Sequence, residues 1–166
     1  MWFDPPVRYI VKIIIAAACL SFVGDVMAGG NKGKKVDLSF HIETEASDNP
    51  KMIFPHKVMG KQRFFRRIPE VSSSDFVAFS PFPSEDQASY GVILQLKDNA
   101  RRRLAAVTQT SSGKWLVCKA FGRIVDGVLV DDPVDDGLVV VWKGLTIEEL
   151  RQLDEALPRI GEKKKK

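Results

Sequence analysis

The sequence predicts an α+β fold: a two-layer domain of mostly antiparallel sheet with two helices packed on one face, ferredoxin-like in kind. Three observations predict it. Residues 36–43 alternate strictly, with Val36, Leu38, Phe40 and Ile42 on one face and Asp37, Ser39, His41 and Glu43 on the other, which is the period of a half-buried strand. From residue 89 onward the patterns follow one another in the order strand, helix, strand, strand, strand, helix. The two helical stretches each carry an apolar stripe at the 3.6-residue spacing that a sheet-packing helix needs.

The elements follow in chain order. "ASDNP" after the first strand is turn chemistry. "KMIFP" is a short apolar run. "KQRFFRR" (Lys61 to Arg67) interleaves Phe64 and Phe65 with basic residues, an alternation that keeps an edge strand soluble. "DFVAFSPFP" sets Phe76, Ala78 and Ser80 against Val77, Phe79 and Pro81. It reads as an extended segment ended by prolines, which lack the ladder donor. "SYGVILQLK" is a strand, and Asp98 is placed to cap the helix 99–110 with its carboxylate. Ala100, Leu104 and Val107, with Ala105 or Thr108 beside them, form the inward stripe of that helix, and Ser111 to Gly113 end it. "KWLVCKAF", "GRIVDGVLVDDP" with an irregularity at Gly127, and "GLVVVW" are three further strands. Thr146 and Glu149 form a capping box for the last helix, whose apolar face is Ile147, Leu150, Leu153 and Leu157 and which Pro158 closes.

The 166 residues divide into a predicted signal peptide 1–28, a basic linker 29–35, a single α+β domain 36–160 and a lysine tail 161–166. Residues 1–28 show the export grammar: Arg8 and Lys12, then the apolar "IIIAAACLSFVG", then small residues at Val26 and Ala28 before a cleavage point. Retention as a membrane anchor and lipidation at Cys19 stand as alternatives. Cleavage removes Cys19 and leaves Cys118, a small buried side chain in "WLVCKAF", so no disulfide framework follows. The formal charge of +4 is carried by the ends, where Lys32, Lys34, Lys35 and Lys163 to Lys166 lie. The body between them is slightly acidic, with 16 basic against 18 acidic residues. Such lysine ends touch an anionic membrane surface weakly at most.

Few residues could carry chemistry. Arg101, Arg102 and Arg103 stand in a row, but consecutive helix positions are about 100° apart, so they cannot all face one ligand. Their aliphatic stems cover the flanks of the inward stripe instead. "KQRFFRR" could track phosphates and stack bases, but an acidic, exported body makes nucleic acid a poor partner. Asp131, Asp132, Asp135 and Asp136 gather around Pro133. Their spacing does not match a calcium loop, and aspartates flanking a proline make an ordinary polar turn. His41 and His56 lie in no nucleophile or zinc context, and His41 alternates onto the solvent face. Ser72, Ser73 and Ser74 form no nucleophile elbow. No catalytic, cofactor-binding or metal residue is therefore assigned, and no cofactor is expected.

"GVILQLKDNARRRLAAVTQTSSGKWL" and "GRIVDGVLVDDPVDDGLVVVWKGLTIEELRQLDEAL", within Tyr90 to Leu157, resemble the head subdomain of the first periplasmic domain of SecD, the auxiliary membrane subunit of the bacterial Sec protein-export machinery. The resemblance rests on a strand, a helix with a basic residue and a leucine, a "GK" before the next strand, and a glycine before a "T-x-E-E-x-x-x-L" helix. SecD proteins also carry six membrane spans and a base subdomain that have no counterpart here. The resemblance thus implies a stand-alone head-like core over 89–157, with a binding role toward polypeptide and no catalytic residue. The function expected is that of an exported, non-catalytic module of the periplasm or cell envelope that contacts an extended polypeptide or a protein partner. A small periplasmic enzyme or a ligand- or ion-binding protein using the 131–136 loop or His41 is the alternative.

Overall fold

A computed structural model describes residues 36–162. The predicted signal peptide with Cys19, the linker 29–35 and Lys163 to Lys166 lie outside the described residues. Nine strands and two α-helices follow in the order β1 (Leu38–Thr44), β2 (Ile53–Val58), β3 (Lys61–Arg66), β4 (Val71–Ser72), β5 (Phe76–Pro83), β6 (Tyr90–Leu96), α1 (Asp98–Gln109), β7 (Trp115–Ala120), β8 (Arg123–Leu129), β9 (Leu138–Leu145) and α2 (Ile147–Ala156). The predicted order from residue 89 is present, and the fold is α+β with antiparallel strand pairing. The strands are shared between two sheets. One has the order β2-β3-β1-β7-β8, with β4 beside β1; the other has the order β5-β6-β9. The β7–β8 hairpin, flanked in sequence by β6 and β9, therefore leaves them and pairs with β1.

Strand β1 organises the larger sheet. It pairs with β7 along most of its length, from Leu38↔Ala120 to Ile42↔Leu116. On its other edge it pairs with β4 at one end, through Phe40↔Val71, and with β3 at the other, through Glu43↔Phe65. Two hairpins in this sheet turn on two residues each, Met59–Gly60 (φ 52° and 75°) and Phe121–Gly122 (φ 49° and 82°). Left-handed φ at both positions is the mirror-image turn whose twist matches the flanking strands, and glycine second in the pair holds it without strain.

Both sheets and both helices share one core. Leu38, Phe40 and Ile42 of β1 meet Phe79, Val92, Leu94, Val139 and Val141 of the second sheet, Ala100 and Leu104 of α1, and Leu150 and Leu153 of α2. Burial of each large side chain contributes about 2 kcal/mol. In β5 a bulge between Phe76 and Ala78 reverses the alternation, so Phe76, Ala78 and Phe79 are all buried. The outer edge of β5 is covered by the chain after α2: Phe79 donates its amide to the Pro158 carbonyl (3.1 Å) and accepts from the Ile160 amide (2.9 Å).

Four expectations need correction. Asp98 is the first residue of α1, and the cap position falls to Lys97, whose backbone is extended and makes no side-chain cap. Strand β6 runs into the helix almost without a loop, and the Lys97 amide is already tied to the Asp75 carbonyl (2.8 Å). The "KQRFFRR" strand is no edge: β3 lies between β2 and β1, and Phe65 is fully buried. Ile147 opens α2 exposed to solvent, and Leu150 and Leu153 carry its buried face. His41 is buried, because the register places Phe54, Phe65, Glu43 and His41 on one face and the β2–β3 hairpin lays the Phe54 ring edge-on against the imidazole, 5.3 Å between centroids. The Thr146–Glu149 capping box forms as expected, and Cys118 is buried and free.

Candidate functional site

Strands β8 and β9 are the terminal strands of the two sheets, and their facing edges make the seam of the molecule. At one end side chains close it. The Asp126 carboxylate accepts from the Trp142 amide (2.7 Å), and the Arg123 guanidinium donates to the Gly144 carbonyl (2.9 Å) and to both carboxylate oxygens of Glu149 (2.9 and 2.8 Å). Gly144 permits the approach. Its φ is +91°, and a Cβ built there would lie 2.7 Å from the Val125 carbonyl oxygen, a contact that side-chain-bearing residues cannot make.

No ladder of backbone hydrogen bonds joins the two strands among the described residues. A groove of about 490 Å³ opens there, lined by Val128, Leu129, Val140 and Trp142 and by the 130–138 loop. Leu129, Leu138 and Trp142 are 48%, 37% and 58% exposed, which is unusual for side chains of this size on adjoining strands. Asp131, Asp132, Asp135 and Asp136 form its rim, and no lysine or arginine is among its lining residues. Two of these carboxylates hold their own loop: Asp131 accepts from the Asp132 amide and Asp136 from the Leu138 amide. Among the described residues no three His, Cys, Asp or Glu side chains are grouped to hold a metal ion.

The apolar surface continues over the outer face of the smaller sheet. Pairing of Ile93 with Val140 and of Gly91 with Phe82 puts these residues on the face that also bears Trp142. The Phe82 and Trp142 rings meet edge-on, 6.1 Å apart. Gly91 leaves the space for Phe82, since a Cβ there would fall 2.3 Å from the ring. Glu85, Asp86 and Lys143 border this end. A hydrogen bond from Ser84 holds the Asp86 carboxyl below its ordinary range.

The other residues singled out in the sequence have structural partners. Arg63 pairs with Glu43 (2.6 Å) and lies over the Trp115 ring, and Arg66 pairs with Glu70 (3.3 Å). Arg63 and Arg66 of "KQRFFRR" are thereby committed to carboxylates, and buried Phe65 offers no face to a base. The three helix arginines diverge as helix geometry requires. Arg101 lays its stem against Gly137, Arg102 is exposed, and Arg103 crosses to the Glu70 carbonyl (2.8 Å) and the Asp75 carboxylate (3.0 Å). His56 lies on β2 opposite Arg63, and among the described residues no hydrogen bond joins it to His41. No local pattern signals that His41 Nε2 meets the Ser39 hydroxyl (2.9 Å) while its Nδ1 meets the Arg66 carbonyl (2.7 Å). That carbonyl can only accept, so Nδ1 carries the proton and, in the neutral ring, Nε2 accepts from Ser39. Burial, with the nearby Lys119 charge, lowers the imidazole pKa against the opposing pull of the Arg66 carbonyl.

No family model matches the sequence, and no curated protein is similar to it in sequence. Solved structures similar in fold include two of SecDF. One, described as a membrane component SecDF that enhances protein export, superposes with a TM-score of 0.51 at 18% identity over 74% of this chain and 62% of that chain. The other, SecDF in a super-membrane-facing form, gives a TM-score of 0.51 at 17% identity over 75% of this chain and 18% of that chain. This chain thus corresponds to a part of each. The aligned share exceeds the stretch from Tyr90 to Leu157, so the likeness reaches into the strands before residue 89. Among the described residues no helix is long and apolar enough to cross a membrane. The domain has a SecD-like fold.

Proposed function

We propose that this chain is an exported, non-catalytic binding module of the cell envelope, and that it holds an extended polypeptide in the groove between β8 and β9. The observation that carries the reading is the pair of strand edges that no backbone ladder joins, around an exposed apolar lining. An extended chain entering there gains main-chain hydrogen bonds by strand addition, and Leu129, Leu138 and Trp142 receive its alternate side chains. The four rim aspartates favour a segment that carries lysine or arginine beside its apolar residues, since like charges would be repelled. The N-terminal pattern of residues 1–28 supports export, and the likeness to a SecDF described as enhancing protein export supports a polypeptide as the occupant.

The test is calorimetric titration of the full chain with a synthetic peptide of alternating valine and lysine, against the same peptide with glutamate for lysine. The lysine peptide is expected to bind in about the micromolar range. Trp142→Ala and Leu138→Lys are each expected to weaken it about tenfold or more, as loss of a central apolar anchor does. Equal binding of the two peptides, or full affinity in Leu138→Lys, refutes the groove.

A further inference from the structure

A second cavity, of about 440 Å³, lies on the other sheet and is separate from the groove. Its lining includes Ser39 and His41 of β1, Arg67, Ser72 to Ser74, and Lys119 of β7. Its charges are unbalanced. Among the described residues neither Arg67 nor Lys119 makes an ion pair, whereas Arg63, Arg66, Arg103 and Arg123 each have a carboxylate. The one carboxylate in the lining, Asp37, is exposed. Lys119 is partly buried, and an ammonium withdrawn from water without a partner is unfavourable until an anion supplies one.

The hydroxyls sort by what they already hold. Ser73 Oγ is engaged with the Leu38 amide and carbonyl, the Ser72 hydroxyl is within reach of Asp75 (3.2 Å), and Ser39 donates to His41. Ser74 is exposed and donates to the Ser72 hydroxyl (3.1 Å), a partner that it can exchange for a ligand in the cavity. One guanidinium and one ammonium have no carboxylate of their own among the described residues, and one exposed hydroxyl stands in the lining with them. Two positive charges match a doubly charged tetrahedral anion better than a single carboxylate, and guanidinium and ammonium groups are the side chains that bind phosphate most strongly.

We propose that this cavity binds a phosphate group, free or borne on a lipid headgroup, through Arg67, Lys119 and Ser74. Inorganic phosphate is titrated into the isotope-labelled full chain at constant ionic strength, followed by backbone amide NMR. The amides of Ser39, Ser72 to Ser74 and Lys119 shift together and saturate with a Kd of about a millimolar. Lys119→Gln and Arg67→Gln each raise that Kd about tenfold, the loss expected for one charge-assisted bond, while Arg102→Gln on α1 leaves it unchanged. A second arm measures binding to phosphatidylglycerol vesicles against phosphatidylcholine vesicles. Weakening there in Lys119→Gln, without a response to inorganic phosphate, assigns the lipid-borne group; response to inorganic phosphate with vesicle binding unaltered assigns the free one. Arg67 is exposed and Lys119 partly buried, and unchanged circular dichroism verifies the folding of both variants. If neither arm responds to either variant, the assignment is overturned.

Discussion

The seam between β8 and β9 is best tested through Arg123 and Glu149. Glu149 is nearly buried at 9% exposure and has two tasks: its Oε2 accepts from the Thr146 amide at the start of α2 (2.8 Å), and both its oxygens accept from Arg123. Replacing Glu149 with glutamine keeps an acceptor for the Thr146 amide and removes the charge. A charge-assisted hydrogen bond contributes about 1.5–3 kcal/mol when desolvated. The Arg123 side chain is 45% exposed, so solvent screening reduces the pair to about 1 kcal/mol. Arg123→Ala loses that and a donor to the Gly144 carbonyl, about 1.5 kcal/mol in all. The double variant is therefore expected to fall short of the sum of the singles by about 1 kcal/mol in urea unfolding, where independent sites add to within about 0.3–0.5 kcal/mol. A coupling within that additivity limit would show that the Arg123–Glu149 pair does not hold the seam and would refute its part in positioning the groove.

Gly144→Ala meets both a left-handed backbone and the Val125 carbonyl, and is expected to lower stability by about 2 kcal/mol, read as a lowered Tm. Phe65→Ala empties a fully buried site at about 4 kcal/mol, measured by urea unfolding; a cost below about 1 kcal/mol would mean that the β2–β3 hairpin is not docked as described. The His41 imidazole has its pKa lowered by burial from an ordinary 6.5, so the unfolded chain takes up a proton that the folded one resists. Stability is then full above pH 6.5 and declines as pH falls through the lowered folded value; His41→Asn, which keeps a donor toward the Arg66 carbonyl, removes that slope in unfolding curves recorded across the window.

The elements were legible because each depends on local periodicity. The run of strand, helix, three strands and helix, the Thr146 capping box and the inward stripe of α1 all lie within windows of a dozen residues. Pairing was not legible. Nothing in "KWLVCKAF" says that its partner is β1, more than 70 residues earlier, since the neighbouring β6 offers an equally apolar edge. His41 illustrates the same limit: alternation assigns it to a polar face, but only the fold shows that Phe54 covers that face. The groove was hidden because its walls, Leu129 and Leu138, stand on opposite sides of an acidic loop whose composition reads as an ordinary turn. Trp142, closing the run "GLVVVW", was the one signal available, an aromatic at a position that alternation sends outward from the core.

Edge strands expose unpaired amides and carbonyls that invite another chain, and stable domains blunt them. This fold does so at its other edges among the described residues. The outer edge of β5 is bonded to residues 158–160. Strand β2 carries Pro55, which has no amide proton, and exposed Lys57. The near end of the β8–β9 seam is stitched by Arg123 and Asp126. Where the seam opens, the chain places Leu129, Leu138 and Trp142 at the surface, with the aspartates confined to the 131–136 loop beside them. An edge left open in a molecule that closes its others, and faced with apolar side chains that cost solubility, is the arrangement expected where strand addition is the function and not an accident of packing.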